Sequence, residues 1–169
     1  MEKVTKNLNY REVIKSVTAT KYGINNHPNP KQLFRIKQWS ENIFEPIREF
    51  IGGPLGCHSI FRSEKLNKLI GGADGSQHLA FDGAAGDIDS DIYGISTNET
   101  IFQFIKDNLD FDQVILEGLH EGRIEWLHVS YVSQTENRNK VLMMYVYKGK
   151  TVYEYYTPER FNQVISKFK

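Results

Sequence analysis

The stretch "SQHLAFDGAAGDID", Ser76 to Asp89, combines one histidine with three carboxylates and several small residues. Imidazole nitrogens and carboxylate oxygens are typical ligands of catalytic zinc, which takes three protein ligands and keeps one position for water. Small residues between such ligands let the backbone approach an ion closely. The segment is therefore a candidate half of a metal site, although a surface loop of turn residues has the same composition.

A second candidate half lies in "EWLHVSY", where Glu125 precedes His128 by three residues. In a regular strand these two side chains point to opposite faces, so they converge only if the strand begins late or bulges near Glu125. His78, one aspartate of the first stretch and His128 would complete a three-ligand zinc site. Zinc lowers the pKa of its water, and a carboxylate such as Glu125 takes the proton. The alternative is a solvent-facing glutamate and a hydrogen-bonded histidine beside a packed Trp126.

The other histidines and the cysteine are less informative. His27 fits a solvated turn, His58 a probable strand, and His120 the tip of a hairpin. Cys57 is the single cysteine, so an intramolecular disulfide is excluded, and a small buried hydrophobic role is expected for it.

The elements that must position these residues are helices first and strands later. Apolar residues at helical spacing predict a long helix after the "NHPNP" turn, kinked or split at Pro46. The stretch from Ser76 is expected to be a loop that runs into a strand at "DIDSDIYGI". Ser96 and Glu99 stand at capping-box spacing before another helix. Further strands and a C-terminal helix follow, which predicts one α+β domain over residues 1–169 with a mostly antiparallel sheet.

Composition and charge exclude several classes of protein. The chain has 169 residues, 40% of them hydrophobic and 25% charged, which is typical of a globular domain. Its 21 basic and 21 acidic residues balance, so we expect no nucleic-acid or membrane partner. We also expect the protein to be a monomer. The N-terminus shows no signal-peptide pattern, so we expect synthesis in the cytoplasm.

Taken together, the motifs resemble those of zinc D-alanyl-D-alanine carboxypeptidases and related bacterial and bacteriophage cell-wall peptidases. That family carries S-x-H, then G-x-A-x-D, then E-x-x-H; this chain has "SQH", "GAAGD" and "EWLH" in the same order. The upstream "SIFRSEKLNKLIGG" is similar to the family's S-G-Y-R-S-x-x-L-N-x-x-V-G-G block. The resemblance covers roughly residues 10 to 132 and implies a hedgehog/DD-peptidase-like fold.

The resemblance also implies a role for each matching residue. His78, Asp87 and His128 match the ligands of a single zinc ion, and Glu125 matches the general base. Arg62, in "FRS", matches an arginine that holds a substrate carboxylate or steadies the polarised carbonyl. Ser76 and Gln77 are expected to line the substrate pocket, which are weaker assignments, and Glu117 is a reserve candidate for the base.

Two departures from the family pattern affect these assignments. The residues "LAFD", which end at Asp82, lengthen the segment between His78 and the glycine by two, so Asp82 or Asp89 could replace Asp87 as a ligand. Ile60 also stands where the family has glycine in its S-G-Y-R block, with Phe61 in place of the aromatic residue that follows.

The resemblance therefore implies a zinc peptidase that hydrolyses peptidoglycan stem peptides and acts on the cell wall after release or as a virion component. The bond could be a terminal D-Ala-D-Ala or an internal bond such as L-Ala-D-Glu. The alternative is a zinc-binding or phage-tail structural module that keeps the fold without hydrolysis.

Overall fold

The protein is described by a computed structural model that covers residues 2–119 and 123–168. His120, which the sequence places at a hairpin tip, lies outside these residues. The helices and strands occur in the following order: α1 (Tyr10–Ile14), α2 (Val17–Lys21), α3 (Pro30–Trp39), α4 (Glu45–Ile51), β1 (Gly56–Ser59), α5 (Glu64–Leu69), β2 (Ala84–Asp89), α6 (Asn98–Asn108), β3 (Gln113–Glu117), β4 (Trp126–Tyr131), β5 (Lys140–Tyr147), β6 (Lys150–Tyr155) and α7 (Pro158–Ile165).

The six strands form one sheet in the order β1-β2-β4-β3-β5-β6. Every neighbouring pair is antiparallel except β3 and β5, which run parallel. The helices and this mostly antiparallel sheet confirm the predicted α+β class.

The two faces of the sheet differ in character. One face packs on the helices and contributes residues such as Leu127, Val129 and Met143 to a large buried core. The opposite face carries Asp87 and His128, which are direct partners across β2 and β4. Because side chains alternate along a strand, the core and the candidate metal ligands come from adjacent residues of the same strands.

The long predicted helix is present, and its irregular turn lies directly before Pro46. A π-helical turn, Ser40–Phe44, joins α3 to α4, and Pro46 is the second residue of α4. The residues at this junction keep right-handed helical dihedral angles, so Pro46 lies inside a continuous helical run and cannot donate the usual backbone hydrogen bond. The helix is thus divided into α3 and α4 next to Pro46, as predicted, although the chain stays helical. Helix α6 begins after Thr97, whose side chain accepts a hydrogen bond from the backbone N–H of Thr100, so the expected cap at Ser96 is wrong.

The small residues between His78 and Asp87 have a different role from the one predicted. Residues 84–87 belong to strand β2, so the segment is not a loop folded around an ion. A Cβ at Gly86 would overlap the indole of Trp39, which packs on β2 from the helical side. Gly86 therefore lets α3 pack closely against the strand that carries Asp87.

No helix among the described residues is long and apolar enough to cross a membrane.

Candidate metal centre

Three side chains converge on the face of the sheet that lies opposite the helices, which we call the open face. His78 lies in a short 3-10 helix, Gln77–Leu79, while Asp87 and His128 lie opposite each other on β2 and β4. His78 Nε2 is 3.1 Å from Asp87 Oδ1, and His128 Nδ1 is 3.0 Å from the same oxygen. The two histidine nitrogens are 3.2 Å apart. One ligand atom from each residue thus falls within 4.8 Å of the other two, a spacing that a single metal ion can bridge.

The hydrogen bond on the other side of the His78 ring determines which nitrogen faces this cluster. His78 Nδ1 is 2.8 Å from the carbonyl oxygen of Ile60, which can only accept a hydrogen bond. Nδ1 therefore carries the proton, and in the neutral ring Nε2 presents a lone pair toward Asp87. A carbonyl in this position is a common outer partner of a metal-binding histidine.

Burial and charge keep the cluster in a metal-binding protonation state. Only 2% of the His78 side chain is exposed, and this burial lowers its pKa and favours the neutral ring. Burial alone would raise the pKa of Asp87, but His78 and His128 outweigh it and lower that pKa. A neutral imidazole beside an ionised carboxylate is the donor set that zinc takes.

Arg62 approaches the same carboxylate from the other side. Its Nη2 is 2.7 Å from Asp87 Oδ2, and its Nε donates to Ser59 Oγ at 2.9 Å. The guanidinium therefore holds the oxygen of Asp87 that the histidines do not contact. Arg62 was predicted to hold substrate, and in this structure its guanidinium contacts a candidate metal ligand.

The three residues open onto a cleft of about 400 Å³. Such a volume is within the range of small-ligand sites. Its walls include all the residues predicted at the site except Glu125: Arg62, Ser76, Gln77, His78, Asp87 and His128. Tyr153 and Gln113 also line the cleft and were not predicted. The alternation of exposed tyrosines in "TVYEYY" was the available signal for Tyr153, but it did not indicate which cleft β6 would border.

The two glutamates considered as general base occupy different positions. Glu117 lines the cleft, and its Oε2 accepts a hydrogen bond from Trp126 Nε1 at 2.9 Å. Burial raises the pKa of Glu117. Glu125 lies just before β4, which begins at Trp126, and it lines a neighbouring depression with His58 and Arg123. The strand thus begins late, as convergence of Glu125 with His128 requires, but the carboxylate of Glu125 lies outside the cleft.

The two competing aspartates are placed elsewhere. Asp82 is exposed. Asp89 Oδ2 is 2.9 Å from His58 Nε2, and Asp89 Oδ1 accepts the backbone N–H of Asp91. The structure therefore brings Asp87, rather than either alternative, together with the two histidines.

The sequence also matches a known protein family. The family model for peptidase M15 matches residues 6–130 of the chain. The chain belongs to the peptidase M15 family. No curated protein matches it significantly. M15 peptidases are zinc-dependent hydrolases, and all three converging side chains of this member lie within the matched range.

Strands β5 and β6 of this M15 member lie beyond the matched residues. They nevertheless extend the open face of the sheet, because β5 pairs with β3 and β6 pairs with β5. Through this extension Tyr153 reaches the rim of the cleft.

Proposed function

We propose that this protein is a zinc peptidase that cleaves peptidoglycan stem peptides. The observation that carries the proposal is the convergence of His78 Nε2, Asp87 Oδ1 and His128 Nδ1. Because Nδ1 of His78 donates to Ile60, its Nε2 and the Asp87 oxygen are both acceptors. Two facing lone pairs repel unless a cation or a proton lies between them, and one zinc ion satisfies all three ligand atoms.

When bound, zinc supplies Lewis-acid activation of a water molecule and of the scissile carbonyl. The protein residues must then orient the peptide and move a proton. We assign the transfer of the proton from water to the leaving amine to Glu125, which stands three residues before His128 as the family's base does; its carboxylate must turn from the neighbouring depression into the cleft to do so. Glu117, which already lines the cleft, is the alternative acceptor. Arg62 orients Asp87, and its remaining guanidinium N–H groups are available to the polarised carbonyl or to a substrate carboxylate.

The character of the cleft supports a peptide substrate. Its walls offer hydroxyl, amide and guanidinium groups, which pair with backbone amides and carboxylates. Membership of the M15 peptidase family supports hydrolysis of a peptide bond as the reaction. We extend this to the D-Ala-D-Ala or L-Ala-D-Glu bonds of stem peptides, with the cell wall as the place of action.

The test is digestion of purified peptidoglycan with the zinc-loaded protein, followed by mass spectrometry of the released fragments. We expect fragments shortened at one stem-peptide bond, whose masses identify that bond, and loss of these products after zinc is chelated. A protein that holds zinc but releases no fragments from walls of several types would instead be a non-catalytic module with the same fold.

A further inference from the structure

The buried carboxylate of Asp112 accepts a hydrogen bond from Gln77, which lines the cleft. Asp112, directly before β3, is 1% exposed. Its oxygens accept hydrogen bonds from Arg138 Nε at 2.6 Å and Arg138 Nη2 at 2.5 Å. Gln77 Nε2 donates to Asp112 Oδ2 at 2.9 Å, and the hydroxyl of Ser130 lies 3.4 Å from the same oxygen. Arg138 lies beyond the residues that match the M15 family.

These contacts keep Asp112 ionised. Burial alone would raise its pKa, but the hydrogen bonds from Arg138 and Gln77 outweigh burial and lower it. An ionised carboxylate can only accept hydrogen bonds. The amide of Gln77 must therefore turn its NH₂ group toward Asp112, because the reverse orientation would place two oxygens against each other.

The orientation of the amide determines what Gln77 offers to the cleft. Gln77 lines the cleft beside His78, and within the described part of the chain its Oε1 has no hydrogen-bond partner. With Nε2 engaged by Asp112, the remaining polar atom is this acceptor oxygen. The candidate metal ligands line the same cleft, so this acceptor faces the space in which a peptide would bind.

We propose that Gln77 is a specificity residue whose Oε1 accepts a hydrogen bond from one backbone N–H of the substrate, and that Asp112 is the positioning residue that fixes this orientation. The inference rests on the proposed peptidase function, since it assigns a peptide N–H as the partner. A fixed acceptor favours a peptide over an analogue that lacks the N–H, because the analogue leaves the site's polar group unpaired.

A purely structural role for the same contacts makes a different prediction. If the Gln77–Asp112 bond only ties the segment before β2 to the sheet, its loss would weaken binding of every substrate by a similar factor. If Gln77 Oε1 accepts a hydrogen bond from one substrate N–H, loss of the Gln77 amide would remove discrimination at that substrate position and leave the other positions unchanged.

The experiment uses a synthetic stem pentapeptide and a series of analogues in which each backbone N–H is replaced in turn by an ester oxygen. KM and kcat/KM are measured on the zinc-loaded protein, and binding is measured by calorimetry on the zinc-free protein, where turnover cannot interfere. The wild type is compared with Gln77→Met, which keeps the length of the side chain but removes the amide. Gln113→Met is the matched control, since Gln113 also lines the cleft but, among the described residues, its side chain makes no hydrogen bond to Asp112.

We expect wild type and Gln113→Met to bind one analogue about 10-fold more weakly than the parent peptide, and Gln77→Met to bind both equally. Asp112→Asn should reduce the same discrimination, because an amide at that position also accepts the flipped orientation of Gln77. Retention of full discrimination by Gln77→Met, or equal binding of all analogues by the wild type, would overturn the proposal. Discrimination in binding without any hydrolysis would overturn the peptidase function and leave the role of Gln77 supported, whereas absence of peptide binding would overturn both.

Discussion

The two oxygens of Asp87 are divided between Arg62 and the histidines: Oδ2 lies 2.7 Å from Arg62 Nη2, while Oδ1 lies 3.1 Å from His78 Nε2. This division orients the carboxylate, so that one oxygen remains directed at the cluster. A metal ligand held in this way loses less conformational freedom when it binds an ion. Arg62 should therefore contribute to metal affinity in addition to any contact with substrate.

Replacing Arg62 tests this contribution. We expect Arg62→Met to weaken zinc binding by about 10–100-fold, which is the usual effect of losing an outer partner of a metal ligand. The measurement is a competition titration against a chelator of known affinity. Arg11→Met, at an exposed position of α1, is the matched control and should leave zinc affinity unchanged. Unchanged zinc affinity in Arg62→Met, with a raised KM for peptides, would assign Arg62 to substrate alone.

Replacing each glutamate separately identifies the proton acceptor. We expect Glu125→Gln to lower kcat by about 10²–10⁴-fold with one zinc still bound, because a positioned base contributes a factor of this size. Glu117→Gln should have the smaller effect on kcat, since Trp126 Nε1 already occupies one of its oxygens. The measurement is steady-state hydrolysis with zinc content determined on the same samples. The reverse ranking would move the role of the base to Glu117, the residue that lines the cleft.

The stability of the fold should be sensitive to substitution of Gly86, because α3 packs closely against β2 at this residue. A methyl group there would overlap the Trp39 indole, which is fully buried and donates from Nε1 to the carbonyl of Val129. We expect Gly86→Ala to lower the free energy of unfolding by about 1–3 kcal/mol, measured by urea denaturation. Gly75→Ala is the control, since a Cβ there meets no atom within 4 Å. Equal stability of the two variants would show that α3 can shift away from β2 without cost.

The free energy of unfolding at low pH should depend on Glu45, which lies in α4 and is separate from the candidate metal ligands. Burial alone would raise its pKa, but hydrogen bonds from Thr5 and Asn7 outweigh burial and lower it. A carboxyl with a lowered pKa in the folded state stabilises the fold above its unfolded pKa, about 4.3, and this stabilisation is lost as the pH falls through the folded pKa.

We therefore expect Glu45→Gln to be about 1–3 kcal/mol less stable than the wild type at pH 7, with the difference shrinking as the pH falls below about 4.3. The measurement is urea denaturation across this pH range. Glu49→Gln, at an exposed position of the same helix, should match the wild type throughout. A difference between Glu45→Gln and the wild type that does not change with pH would attribute the effect to shape instead of charge.

Much of the fold could be predicted because periodicity and turn residues act locally. The strand around His128 and the C-terminal helix follow from neighbouring residues alone. The strand β2 was predicted to begin too late, because its small residues are typical of a loop. Only contact with Trp39, which is distant in the sequence, explains Gly86 in a strand.

The residues of the candidate site were predicted from spacing and family resemblance. Their relative positions in space could be found only from the structure. The sequence left Asp82, Asp87 and Asp89 as alternatives because all three are close to His78 along the chain. Their separation arises from sheet register, which pairs Asp87 with His128. The contact of Gln77 with Asp112 could not be predicted, since it joins residues 35 positions apart in segments without a shared motif.

His78, Asp87 and His128 together should hold one zinc ion. This is measured by native mass spectrometry of the zinc-loaded protein after removal of free metal, for the wild type and for His128→Ala. The matched control is His27→Ala, since His27 is exposed and stacks on Tyr10 away from the cleft. We expect one zinc per chain in the wild type and in His27→Ala, and loss of zinc in His128→Ala. Absence of zinc from the wild type, or its full retention in His128→Ala, would show that these three residues do not form the zinc site.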